Sequence, residues 1–80
     1  MKREEIYERL TEVFEDVFDR EVELSDETTA EDIPGWDSLR HIMLIGAVED
    51  EFDIKFDMKA VRECKNVGAM VDIISEITAQ

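Results

Sequence analysis

The chain has 80 residues but only one cysteine, one histidine, one proline and three glycines, and each scarcity closes off a class of protein. Cys64, standing alone, can form neither an internal disulfide nor a cysteine-based metal cluster, and reads as a small apolar packing residue. His41, the sole histidine, cannot assemble a zinc site, so no metal ligands are expected. Basic residues are also few: nine Lys and Arg stand against 22 Asp and Glu, a formal charge of -13. Nucleic acid and anionic membrane surfaces would be repelled and basic protein surfaces attracted. No apolar run approaches the roughly 20 residues of a membrane span. Met1-Lys2-Arg3 runs straight into Glu4 and Glu5 without the apolar core of a signal peptide, so a cytoplasmic protein without membrane insertion is expected. Eighty residues make one domain, 1–80, too small to enclose a deep catalytic cavity beside a packed core. A monomeric carrier, adaptor or binding module fits these bounds.

High acidity can mean disorder, but here 44% of the residues are hydrophobic and they recur with helical period. Between residues 4 and 20, Ile6, Tyr7, Leu10, Val13, Phe14, Val17 and Phe18 share one face and acids fill the other, which predicts an amphipathic helix. Residues 21–37 are polar, with Val22, Leu24 and Ile33 as pins, and read as a long ordered loop. Their acids lack the spacing of an EF-hand calcium loop. A second helix over 38–52 carries two apolar arcs. His41, Leu44, Ile45, Val48 and Phe52 form one, suited to a core. Leu39, Ile42, Met43 and Gly46 form the other, suited to a partner. Phe52, Ile54 and Phe56 alternate too briefly to demand a strand and read as loop anchors. Asp57 caps a short helix over 58–63, and Asn66 caps a last one lined by Val67, Met70, Val71, Ile74 and Ile77. The expected fold is all-α, a small four-helix bundle with a long loop between helices 1 and 2 and a short third helix.

Chemistry concentrates at Gly35-Trp36-Asp37-Ser38-Leu39, where the polar loop gives way to the second helix. Ile33-Pro34-Gly35 is a turn signal, and either Asp37 or Ser38 suits the N-cap. Unpaired amide N–H groups and the helix dipole would favour an anionic group on the Ser38 oxygen, so a phosphodiester is welcome there, although a plain cap needs no such group. Ser38, His41 and Asp37 could be combined into a hydrolase, but no Gly-x-Ser-x-Gly elbow or oxyanion hole accompanies them. An acidic helical interaction module without any prosthetic group is a third reading.

Asp37-Ser38-Leu39 at the head of a helix that closes with Glu49-Asp50-Glu51-Phe52 resembles the acyl carrier protein family. The resemblance extends over nearly the whole chain: the acidic first helix, the long loop, the Phe-Asp-Ile after helix 2 and the final short and long helices. It implies that a phosphopantetheinyl transferase esterifies Ser38 with 4'-phosphopantetheine from coenzyme A. Acyl groups would ride as thioesters on the arm's thiol, and the carrier itself would catalyse nothing. It further implies a partner surface of Asp37, Leu39, Ile42, Met43, Gly46, Glu49 and Asp50, docking on basic patches of acyl-loading and acyl-processing enzymes. Three positions depart from housekeeping fatty-acid carriers: Trp36 replaces a small residue, and Arg40 and Met43 stand where acids are usual. Trp-Asp-Ser-Leu is more similar to specialised, secondary-metabolism and D-alanyl carriers, so fatty, polyketide and aminoacyl cargoes all stay open. A fatty chain would fold back among Leu44, Ile45, Val48 and Val61.

Overall fold

Four helices follow one another in the computed structural model, which describes residues 1–64 and 66–79: α1 (Arg3–Phe18), α2 (Ser38–Phe52), α3 (Met58–Glu63) and α4 (Val67–Thr78). The fold is all-α as expected, with no strand among the described residues. The expected domain 1–80 includes positions 65 and 80, which lie outside those residues.

The apolar stripe of α1 does what its period predicts: Ile6, Leu10, Val13, Phe14 and Phe18 are buried and Tyr7 and Val17 half-buried. The helix stops at Phe18, short of the expected residue 20, because nothing apolar at Asp19 or Arg20 extends the stripe. Asp19 instead turns left-handed, at φ 53°. Against α1 pack Leu44, Val48 and Phe52 of α2 and Val67, Met70, Val71 and Ile74 of α4. Each large side chain fully withdrawn from water contributes roughly 1.5–3 kcal/mol.

Two arginines bind α1 and α2 in opposite directions. Arg40, in the first turn of α2, donates to the Val17 carbonyl at 2.7 Å, an end group of α1 that has no partner within its own helix. Arg9 of α1 reaches the other end of α2, where Nε donates to the Glu51 carboxylate at 2.8 Å and the guanidinium also donates to the Glu51 carbonyl. Its guanidinium lies 4.7 Å from the Phe52 ring centroid. Each arginine thus places positive charge at the negative end of the opposite helix.

The long loop is ordered and clasped. Thr28 accepts from the Ser25 amide and Asp32 from the Thr29 amide, both at 2.9 Å, so side chains close two local turns. Its carbonyls then accept from the first turn of α4: Val67 N–H to Thr28 at 2.8 Å and Gly68 N–H to Asp26 at 3.1 Å. A Cβ at Gly68 would lie 2.8 Å from the Asp26 carbonyl oxygen, so only glycine permits this approach. Arg3 spans Asp26 and Asp72 at 2.8 and 2.7 Å. The Tyr7 hydroxyl donates to the Asp26 carboxylate and, with Arg3, holds that carboxyl below its ordinary range.

Beyond α2 the chain turns at Asp53, also left-handed at φ 54°. Ile54 and Phe56 then pack half-buried on the core, anchors as expected rather than strand residues. Asp57 caps α3 through Lys59 N–H at 3.1 Å, and Asn66 caps α4 through Ala69 N–H at 2.8 Å.

Candidate functional site

Ser38 is the first residue of α2 and is exposed. The turn before it is built as its composition dictates: Gly35 takes φ 88°, and the Trp36 amide donates to the Ile33 carbonyl at 3.2 Å. Asp37, in extended conformation, is the cap. Its carboxylate accepts from Arg40 N–H at 2.8 Å, which leaves the Ser38 hydroxyl without a capping duty.

A surface groove of about 490 Å³ opens beside this hydroxyl, lined by Trp36, Asp37, Ser38, His41, Ile42 and Cys64. Cys64 is half-buried, and burial pushes its thiol above the ordinary value. The thiol is therefore protonated near neutral pH, in keeping with a packing role.

Trp36 is fixed on three sides. Its ring meets Phe14 edge-on at 5.3 Å and 85°, lies 6.0 Å from Phe18, and runs nearly parallel to the His41 ring, 6.0 Å away at 23°. Its indole N–H donates to His41 Nδ1 at 3.1 Å. An indole nitrogen can only donate, so Nδ1 carries no proton and the neutral imidazole keeps its hydrogen on Nε2. Burial lowers the His41 pKa from its ordinary value and favours that neutral form. Sequence periodicity missed this pair. Its members lie five residues apart across a helix start, where neither helical nor strand spacing applies. The clue was an aromatic residue at an uncommon place before the tripeptide.

The same geometry disposes of the hydrolase. His41 Nδ1 faces the indole and the Asp37 carboxylate faces the Arg40 amide, so Ser38, His41 and Asp37 form no relay.

Along α2 the outward arc is exposed as its spacing implied: Leu39, Ile42 and Met43 are 67%, 69% and 51% accessible, with Asp37, Gly46 and Asp50 also open to solvent. Glu49 sits differently. It is half-buried, and its carboxylate accepts from Phe56 N–H at 2.7 Å, turned toward the α2–α3 connection. Met58, at the start of α3, is 69% accessible and was not singled out by the sequence. On the inward side Leu44 and Val48 are fully buried in the core, while Ile45 and Val61 are half-buried. Among the described residues no cluster of acids, His and Cys is arranged to hold a metal. Among the same residues no helix is long and apolar enough to cross a membrane.

Comparison with known proteins meets this geometry at the same place. The family model for the phosphopantetheine attachment site matches residues 8–74, a stretch that includes the whole head of α2. The solution NMR structure of the holo acyl carrier protein from Geobacter metallireducens aligns with a TM-score of 0.85 at 39% sequence identity, covering 91% of this chain and 85% of that one. Among curated proteins none matches. Proteins of this kind carry 4'-phosphopantetheine, are loaded by a phosphopantetheinyl transferase, and are not themselves enzymes. With the family model covering most of the chain and a holo carrier sharing both fold and sequence, this protein belongs to the acyl carrier protein family.

Proposed function

We propose that the Ser38 hydroxyl is the acceptor of 4'-phosphopantetheine, and that residues 1–80 act as a single monomeric carrier domain presenting acyl thioesters to cytoplasmic biosynthetic enzymes. The observation that carries this reading is the freedom of Ser38: exposed at the first position of α2, with capping done by Asp37. The residues present fit the group. Amide N–H groups of the first turn and the positive end of the α2 dipole favour a phosphodiester, and Trp36, Ile42 and Cys64 give the adjoining groove apolar walls for the arm. When bound, the arm supplies a thiol that holds the acyl group as a thioester. The chain's own contribution is to present the hydroxyl and to dock. Tethering then raises the effective concentration of cargo at whichever enzyme is engaged.

Partners are proposed to meet the arc of Asp37, Leu39, Ile42, Met43, Gly46 and Asp50, with basic residues drawn by the net charge of -13 and apolar contact supplied by Leu39, Ile42 and Met43. Glu49 joins this arc only at its edge, because its carboxylate also holds the Phe56 amide. Acyl rather than aminoacyl cargo is favoured by the likeness to a holo acyl carrier protein. The Trp36-bearing motif favours a specialised route, polyketide or modified fatty acid, over a housekeeping one. It also keeps D-alanyl loading as the second reading.

Incubation with coenzyme A and a broad-specificity phosphopantetheinyl transferase should add one phosphopantetheine per chain by mass spectrometry, and none to Ser38→Ala. A wild-type protein that stays unloaded under conditions that load a control carrier would defeat the proposal and favour the unmodified interaction module. Transfer of D-alanine by an adenylating enzyme, with acyl groups refused, would select the second reading.

A further inference from the structure

The sole tryptophan and the sole histidine of the chain are hydrogen-bonded to each other beside the proposed acceptor, and the bond is of a kind that acid breaks. Trp36 lies two residues before Ser38, and its backbone enters the turn that ends in the Asp37 cap. Phe14 and Phe18 hold one part of its ring against α1, and His41 holds the indole N–H from the first turn of α2. The short segment carrying the hydroxyl is therefore fastened through one side chain to two helices. A neutral imidazole accepts at Nδ1. An imidazolium has N–H on both ring nitrogens, and would set two donors face to face across 3.1 Å.

We propose that His41 is a positioning residue for the loading of Ser38: as a neutral acceptor it holds Trp36, and through it the Trp36-Asp37-Ser38 segment, in the seat a transferase reads, and protonation of His41 releases that segment. This rests on the reading of Ser38 as the phosphopantetheine acceptor. Among the described residues, the charged and titratable groups of the groove and of the first turn of α2 are otherwise engaged. The Asp37 carboxylate is bound to Arg40 N–H, the Arg40 guanidinium is turned to the Val17 carbonyl, and the Cys64 thiol across the groove is kept neutral by burial. Phe14 and Phe18 bring no titrating group from α1. Because burial favours neutral His41, the bond is intact above the ordinary imidazole value of 6.5 and is lost as pH falls through the lower folded value.

With one indole and one imidazole in the chain, NMR reads both without ambiguity. In the wild-type protein the indole N–H resonance should shift with the same midpoint as the imidazole, below 6.5. In His41→Asn, whose side-chain oxygen falls close to the place of Nδ1 but cannot be protonated there, the indole resonance should stay fixed over that range. In Trp36→Phe, which keeps a ring on α1 but no donor, the imidazole midpoint should rise, because the bond that favoured the neutral form is gone.

Loading by one transferase is then compared between wild type and His41→Asn at each pH, which cancels the transferase's own profile. The ratio of wild-type to His41→Asn rates should be near one at about pH 8 and fall at lower pH with the midpoint that NMR gives for the imidazole, by at least about threefold once His41 is protonated. An indole resonance that ignores the imidazole titration, or a rate ratio that is flat with pH, would overturn the proposal. Failure of the wild type and of every variant to load at any pH, with indole and imidazole still titrating together, would instead overturn the assignment of Ser38 and with it the positioning role.

Discussion

Arg40 departs from the acid that the family resemblance leads one to expect, and read from sequence alone it looks like a change of partner. In the fold its charge is committed elsewhere: the guanidinium donates to the Val17 carbonyl at 2.7 Å and closes the end of α1. Removing it leaves a helix-end carbonyl short of a charged donor in a half-buried position. Arg40→Gln should therefore lower unfolding free energy by about 1–2 kcal/mol, seen as a fall in the urea midpoint at constant m-value. An unchanged midpoint would mean that the contact contributes nothing and that Arg40 belongs to the docking surface after all. Glu49 teaches the same lesson with the opposite sign. Its helical position puts it on the outward arc, yet its carboxylate reaches round to the Phe56 amide at 2.7 Å. A long side chain can serve a different neighbour from the one its Cα faces, and no pattern of spacing records this.

At the scale of elements, two glycines lie inside helices for different reasons. Gly46 is exposed in the middle of α2 with open space where a Cβ would stand, whereas a Cβ at Gly68 would meet the Asp26 backbone at 2.8 Å. Gly46→Ala should stabilise the fold by up to about 1 kcal/mol, the helix-propensity difference. Gly68→Ala should cost about 1–3 kcal/mol, since the first turn of α4 must part from the loop. Thermal or urea unfolding of the two variants checks both signs, and a shift in the same direction for both would contradict this account.

The helices themselves were legible because their signals are local: the apolar stripe of α1, the caps Asp37, Asp57 and Asn66, and the turn at Gly35. The end of α1 at Phe18 was less so, because Asp19 adopts its left-handed conformation without a glycine to announce it. The exposed serine and the outward arc of α2 were also readable. Their supports were not. The Trp36–His41 bond, the clasp of Asp26 and the crossed arginines join residues through tertiary geometry that one sequence carries only implicitly.

For the molecule as a whole, charge and shape divide the proposed work of docking. A net charge of -13 acts over distance, whereas Leu39, Ile42 and Met43 act only on contact. Raising ionic strength from about 0.1 M to about 1 M shortens the screening length from about 10 Å to about 3 Å. The transferase KM for the unloaded protein should then rise several-fold. Ile42→Ser should also raise KM, yet leave the steepness of the salt dependence unchanged, since it removes no charge. A KM indifferent to salt would refute electrostatic steering.

The crossed arginines have a mechanical corollary. Arg40 fastens the head of α2 to the tail of α1, while Arg9 fastens the tail of α2 to the middle of α1, so the two rods can neither slide nor swivel past one another without breaking a charged hydrogen bond. Any widening of the bundle to shelter a cargo would therefore leave α1 and α2 together and displace other elements, of which α3, only six residues long, is the shortest.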